Sequence, residues 1–118
     1  MRIREHWDPD AEAILYHADC RKMLRELPDG EAQLIVTSPP YNIGKSYEKR
    51  VLLKDYLDRE SEVISAAVEK LAVGGSICWQ VGNHVDAGEV FPLDVLLYPI
   101  FKKAGVQLRN RIRGGLTV

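Results

Sequence analysis

The stretch LIVTSPPYN, residues 34–42, decides the fold that this sequence predicts. Its first three residues form a short apolar run of the kind that is typical of a buried strand. The strand has to stop at Ser38, because each of the two prolines that follow lacks the N–H that a central strand needs and also restricts the residue before it. The stretch therefore predicts a rigid loop at the carboxyl end of a strand, which is the edge of an open α/β sheet where ligands bind.

Three polar or aromatic groups of this loop are candidates for a functional site. They are the hydroxyl of Ser38, the main-chain carbonyl of Pro39 and the ring of Tyr41. The paired prolines fix these groups relative to one another, and a reactive site needs its groups held to within about half an ångström. The loop is therefore the first place to look for function.

Composition limits the kind of protein that this chain can be. Its 118 residues are enough for one small domain, with 46% apolar and 28% charged residues as in ordinary globular proteins. The net charge of −1 argues against a chain that holds DNA by itself. Cys20 and Cys78 are too few for a disulfide framework, and they have no zinc-site spacing. Since no signal peptide or membrane-length apolar run is visible, we expect a cytoplasmic protein.

Apolar periodicity and turn residues predict alternating strands and helices. Strands are predicted at 13–17, 34–36, 76–81 and 106–112, and helices at 21–27, 52–72 and 93–104. Asp19 is expected to cap the first helix, and Gly74-Gly75 to end the second. Trp79 is predicted to pack in the core and His84 to be exposed in a polar loop. The alternation predicts an α/β fold, a partial doubly wound sheet of about four mostly parallel strands with flanking helices, preceded by a loosely ordered lead-in at 1–12.

Ser38-Pro39-Pro40-Tyr41 resembles the catalytic motif of the DNA amino-methyltransferases, in which Asp, Asn or Ser precedes Pro-Pro and an aromatic residue follows. The longer string TSPPYNIGK, residues 37–45, resembles the members whose catalytic motif comes before the cofactor motif. A bare Pro-Pro pair would be typical of a surface turn, but the residues on both sides fit this family. The Ser variant is typical of cytosine-N4 enzymes, so the resemblance implies cytosine N4 as the target, with adenine N6 as the alternative.

The resemblance implies methyl transfer from S-adenosylmethionine to the exocyclic amine of a base flipped out of double-stranded DNA. This amine is a poor nucleophile, because its lone pair is delocalised into the ring. The Ser38 hydroxyl and the Pro39 carbonyl would accept hydrogen bonds from its two N–H groups and stabilise the charge that develops in the transition state. Pro40 would keep the loop rigid, and Tyr41 would stack on the flipped base. No covalent nucleophile is needed.

The resemblance also assigns Asp19, Cys20 and Ser38 to the cofactor site. In the family an Asp-Cys pair at this place lies along the adenosine, where the carboxylate can accept a hydrogen bond from the adenine amino group. Asp19 can cap a helix at the same time. On this basis residues 13–118 are expected to be the catalytic-motif half of a Rossmann-like methyltransferase domain.

The family's glycine-rich cofactor motif, Phe-x-Gly-x-Gly, is not found among the 118 residues, and the last residues depart from the family pattern. We therefore expect the amino-terminal portion of an enzyme, truncated before the cofactor and DNA-recognition segments. An uncovered apolar sheet surface, and with it self-association as a homodimer, is the expected consequence. Two alternatives stay open. One is an inactive folded remnant that self-associates or needs a complementing chain, and the other is methylation of a protein glutamine amide.

Overall fold

The computed structural model describes residues 1–39 and 52–112. These residues form six strands and three helices, which in chain order are β1 (Ile3–Arg4), β2 (Ala13–Ile14), α1 (Cys20–Glu26), β3 (Ala32–Thr37), α2 (Leu53–Lys70), β4 (Leu71–Trp79), β5 (Asn83–Asp86), β6 (Glu89–Pro92) and α3 (Leu93–Ala104). The α/β class is confirmed. In the described ranges, none of the helices combines the length with the apolar composition that a membrane span requires.

The strands pair two by two instead of forming one sheet. Within the described residues β1 pairs with β2 and β3 with β4, both in parallel, and β5 forms an antiparallel hairpin with β6. The predicted single sheet of about four mostly parallel strands is therefore not confirmed. The structure does contain a parallel β3–α2–β4 unit. In it, α2 is the crossover connection that two neighbouring parallel strands require.

Helix α2, which connects the two strands of this unit, has one buried stripe. Its buried residues are Tyr56, Glu60, Ile64 and Ala67, spaced at the four- and three-residue steps of one helix face. Three of them are the apolar residues that such a stripe requires, and Glu60 is the exception. Helix α2 also contacts α1 on one side and α3 on the other, so it is the central packing element of the described chain.

The predicted helix end at Gly74-Gly75 is wrong. Helix α2 ends at Lys70, and both glycines lie inside β4. The β3–β4 register shifts between Ala32 and Leu34, opposite these residues. Gly74 adopts a φ of +79°, and a Cβ on Gly75 would approach the main-chain oxygen of Ala72 to 2.9 Å. The glycines are therefore needed by an irregular strand, in which backbone segments come close together.

The two shorter helices agree with their predictions. The Asp19 side chain accepts from the Arg21 N–H at 2.9 Å and caps α1, as expected. Helix α3 spans the predicted residues and ends at Gly105, which has a φ of +102°.

Two predictions near the carboxyl end are wrong. The residues after the third predicted strand form the β5–β6 hairpin, whose turn residues Ala87 and Gly88 both have positive φ. His84, predicted to be exposed, is only 3% exposed and packs near Phe91. No strand forms over the described part of 106–112; instead Arg111 in this segment pairs with Asp94 of α3.

Residues 1–12, predicted to be a loosely ordered lead-in, contain β1. The hydroxyl of Tyr16 accepts from the main-chain N–H of Trp7 at 3.0 Å and donates to the Glu26 carboxylate at the end of α1. These bonds attach the lead-in to the first helix. The boundary at residue 12 stays a prediction.

One face of the β3–β4 pair is open. Because successive side chains alternate between faces, Leu34 and Val36 point to the same side, and their register partners there are Ser76 and Cys78. Leu34 and Val36 are 60% and 69% exposed. The opposite face carries Trp79, whose ring packs edge-on against Phe101 of α3 at a centroid distance of 5.4 Å. The helix α3 therefore covers one face only.

We expect the fold to depend on the contact between α2 and α3. Leu97, 1% exposed, lies in α3. Leu97→Ala should lower the free energy of unfolding by about 2–5 kcal/mol, through lost transfer energy and a residual cavity. Val95→Ala in the same helix, where the side chain is 53% exposed, should change it by less than about 0.5 kcal/mol. Urea titrations followed by circular dichroism measure both, and equal effects would contradict this packing.

Candidate functional site

Four of the residues selected from the sequence line one cavity. Its volume is about 510 Å³, and Asp19, Cys20, Ser38 and Pro39 are all in its wall. Pro40 and Tyr41, the other two selected residues, lie outside the described residues. A second cavity of about 420 Å³, between α2 and α3, is lined by none of the selected residues. The first cavity is therefore the candidate site.

Parallel strand pairing positions this cavity. The last residues of β3 and β4, Thr37 and Trp79, are register partners, and the Gln80 N–H donates to the Thr37 carbonyl at 2.9 Å. The carboxyl ends of both strands consequently meet at one edge. Ser38 and Pro39 follow directly on β3, so they lie beside Trp79 in the cavity wall. The start of α1 and the middle of α2 supply the remaining sides.

The carboxylate of Asp19 is ionised and firmly held. Its Oδ1 accepts from the main-chain N–H and from Nε of Arg21 at 2.9 and 3.1 Å, and its Oδ2 accepts from Nη2 at 2.9 Å. These hydrogen bonds to Arg21 lower the pKa of Asp19 to about 2. Because a carboxylate oxygen can accept two hydrogen bonds, Oδ2 has one acceptor position left beyond the bonds between described residues. Asp19 can therefore cap α1 and still accept from a ligand.

Arg21 connects the two helices of the site. Besides binding Asp19, its Nη1 donates to Oε2 of Glu62 in α2 at 3.1 Å. Both ion pairs are largely exposed, so each contributes little to overall stability. Their effect is to hold the Asp19 carboxylate in one orientation at the edge of the cavity.

Cys20 begins α1 next to Asp19. Burial of the thiol raises its pKa, and the negative charge of Asp19 raises it further. A thiol is a nucleophile only as the thiolate, so Cys20 is unsuited to covalent catalysis at neutral pH. What it offers the cavity is a small, soft, uncharged surface.

Sequence reasoning missed Glu60. This residue is 8% exposed and lines the cavity from α2. Its Oε2 is buried and has no hydrogen-bond partner within the described chain. Burial raises the pKa of Glu60 to about 7. The available signal was its position, four residues after Tyr56 and four before Ile64, inside the apolar stripe of α2.

Trp79 has two roles. It packs against Phe101, which agrees with the predicted core position, but it also lines the cavity. Its Nε1 is buried without an acceptor among the residues that the structure describes. A buried indole N–H usually has a partner, so this group is a candidate donor to a ligand.

Known proteins with similar sequences belong to the same family that the motif indicates. The sequence pattern of the DNA methylase family matches residues 32–114. The Type II methyltransferase M.BglII of Bacillus subtilis is 44% identical over 99 residues, which are 83% of this chain and 28% of the relative. M.ScaI of Streptomyces caespitosus is 32% identical over 90 residues, 75% of this chain and 30% of the relative.

The chain thus spans less than a third of the length of these two relatives. The matched pattern covers β3, which precedes the Ser-Pro-Pro-Tyr motif, and continues past α3. The resemblance seen in the sequence is confirmed, and the chain belongs to the DNA methylase family.

Proposed function

We propose that this chain is the catalytic-motif portion of a DNA amino-methyltransferase, which moves a methyl group from S-adenosylmethionine to the exocyclic amine of a flipped base, with cytosine N4 preferred. One observation carries the proposal: Ser38 and Pro39 share a cavity with Asp19 and Cys20. The first two are the proposed catalytic groups and the last two, with Ser38, the proposed cofactor groups. Family membership supports the reaction type.

The volume of the cavity suits this reaction. About 510 Å³ lies inside the range of about 300–1,000 Å³ that is usual for small-molecule sites. The proposed adenosine contacts at Asp19 and Cys20 come from the start of α1, whereas Ser38 and Pro39 come from the end of β3. A methyl donor between them would have its reactive end near Ser38. S-adenosylmethionine supplies, when bound, a methyl group already activated as a sulfonium.

Ser38 and Pro39 would then activate the acceptor amine. The hydroxyl and the carbonyl oxygen would each accept a hydrogen bond from one of its N–H groups, which draws the nitrogen toward tetrahedral geometry and frees its lone pair. The lone pair would form the N–CH3 bond as the bond from the methyl group to sulfur breaks, and the methylated amine would then lose one proton to solvent. Both groups are fixed before the reaction, so they stabilise the developing charge without reorganisation. Orientation supplies the rest of the acceleration. Pro40 and Tyr41 are proposed to complete the site by fixing the loop and stacking on the base.

Ser38→Ala is expected to lower kcat for methyl transfer about 10²–10³-fold, because one acceptor aimed at the amine is lost. A suitable enzyme is a chimera in which this chain replaces the matching segment of M.BglII, assayed with radiolabelled S-adenosylmethionine and double-stranded DNA. Ser65→Ala is the matched control, since Ser65 is exposed on α2 and outside the candidate cavity. Full activity of Ser38→Ala, with the fold intact, would contradict the assigned role.

The same chimera identifies the target base. Mass spectrometry of the digested product DNA is expected to detect N4-methylcytosine, because the motif has Ser in its first position. Detection of N6-methyladenine instead would support the adenine alternative and leave the role of Ser38 unchanged.

A second candidate function follows from the open face of the β3–β4 pair. Leu34 and Val36 expose apolar surface there, and in doubly wound sheets both faces are covered. We propose that this face binds a second copy of the chain, unless the remainder of a longer protein or a complementing chain covers it. Such association would not require catalysis, so it also fits an inactive remnant.

Leu34→Glu should convert a dimer of the chain to a monomer, because a buried unpaired carboxylate is costly at an apolar interface. Sedimentation velocity over a concentration series measures the change. Val95→Glu is the control, as Val95 is an exposed apolar residue of α3, outside the open face. A chain that stays monomeric at every concentration, or a dimer unaffected by Leu34→Glu, would rule out this interface.

A further inference from the structure

We propose that Glu60 makes the candidate site selective for a cationic methyl donor over its neutral product, with Trp79 beside it as the hydrogen-bond donor of the same wall. This inference rests on the proposed function, because it takes the ligand to be S-adenosylmethionine. Methyl transfer converts the sulfonium into an uncharged thioether. A negative charge fixed in the cavity would therefore favour the substrate and assist release of the product.

The position of Glu60 carries the inference. An acidic side chain in the buried stripe of a helix is costly unless a partner compensates it. Glu60 is more than nine-tenths buried, and its Oε2 accepts no hydrogen bond within the described part of the chain. The side chain lines the cavity that already contains Asp19 and Ser38. The missing partner is thus expected from a ligand in that cavity.

Of the charged groups in the cavity wall, Glu60 is the one best placed to bind the cationic centre of the ligand. Among the described residues, the other charged or titratable groups that face the cavity are Asp19, Cys20 and Arg21 at the start of α1 and Arg59 of α2. The ends of β3 and β4 and the residues after β3 contribute the uncharged Thr37, Ser38, Pro39 and Trp79. Asp19 and Arg21 neutralise each other in a direct pair. The raised pKa of Glu60 has burial as its cause, with no offset from either arginine. Among the described residues neither arginine donates a hydrogen bond to Oε2 of Glu60, so a cationic ligand can supply the positive charge that this oxygen is without.

Trp79 gives independent support. Its indole N–H is a second buried polar group of the same wall without a partner in the described ranges. A ligand with a positive group and a hydrogen-bond acceptor would complement both, the carboxylate oxygen and the indole N–H. S-adenosylmethionine has both, since its methionine part carries a carboxylate besides the cationic centres. The indole face also attracts a cation.

The protonation of Glu60 makes this testable. Its pKa of about 7 means that at neutral pH it is roughly half protonated before a ligand binds. A cation favours the ionised form, so binding has to release a proton. The affinity for S-adenosylmethionine should then fall as the pH is lowered from 7 to about 5.5, by up to tenfold per pH unit. S-adenosylhomocysteine, without the sulfonium charge, should show no such fall.

Calorimetry on the chain, with S-adenosylmethionine and S-adenosylhomocysteine in two buffers of different ionisation enthalpy, tests the inference. The wild-type chain should bind the cationic ligand at least about tenfold more tightly at pH 7.5 and release protons on binding it. Glu60→Gln should reduce that ratio to about threefold or less, abolish the proton release and leave S-adenosylhomocysteine binding unchanged. Glu69→Gln is the matched control, because Glu69 is an exposed carboxylate on the same helix and is not part of the cavity wall.

The possible failures are distinct. If both ligands bind and Glu60→Gln leaves their ratio intact, or weakens both equally, the inference is wrong and the proposed function stands. If the folded wild-type chain binds neither ligand, cofactor binding by this chain and the inference fall together. The fold of Glu60→Gln is checked by thermal melting. Because burial raises the pKa of Glu60, its ionised form destabilises the wild-type fold at pH 8 but its protonated form at pH 5 does not. The melting temperature of Glu60→Gln relative to the wild type should therefore be higher at pH 8 than at pH 5.

Discussion

The site depends on the parallel pairing of β3 with β4. Thr37 and Trp79 are register partners and the last residues of β3 and β4. Ser38 and Pro39, the first two residues of the motif, therefore lie in the same cavity wall as the Trp79 indole. Parallel strands require a crossover, and α2 provides it. The crossover helix in turn presents Glu60 to the cavity. One backbone arrangement thus brings together groups that are far apart in the sequence, and none of them would meet in an isolated strand or helix.

The candidate site has uncharged acceptors at the end of β3 and carboxyl groups at the start of α1 and in the middle of α2. Ser38 and Pro39 offer uncharged acceptors, which suit an amine that must lose its planarity without being deprotonated first. Asp19 is kept ionised by Arg21, whereas burial keeps Glu60 close to its titration point at neutral pH. Two carboxyl groups in one cavity therefore have opposite pKa shifts, because one is hydrogen-bonded and the other is desolvated. Perturbed groups of this kind are concentrated at functional sites.

The open face of the β3–β4 pair is consistent with a chain that spans less than a third of the length of its relatives. The relatives M.BglII and M.ScaI are more than three times as long as the segment they share with it. A parallel unit with a helical layer on one side leaves Leu34 and Val36 exposed on the other. Such a face is normally covered in an α/β protein. A protein segment that covers Leu34 and Val36 would therefore also stabilise the fold of this chain.

The sequence by itself determined the local features: the strand before Ser38, its end ahead of Pro39, the Asp19 cap and the α3 helix ending at Gly105. Each depends on residues that are close in the chain, through φ restriction, capping or periodicity. Only the tertiary structure decided the role of Gly75, whose close contacts include the main-chain oxygen of Gln33 on the other strand. The same is true of the burial of His84 and Glu60 and of the absence of a described strand at 106–112. Desolvation and strand pairing depend on which segments meet in space, and spacing along one chain does not specify that.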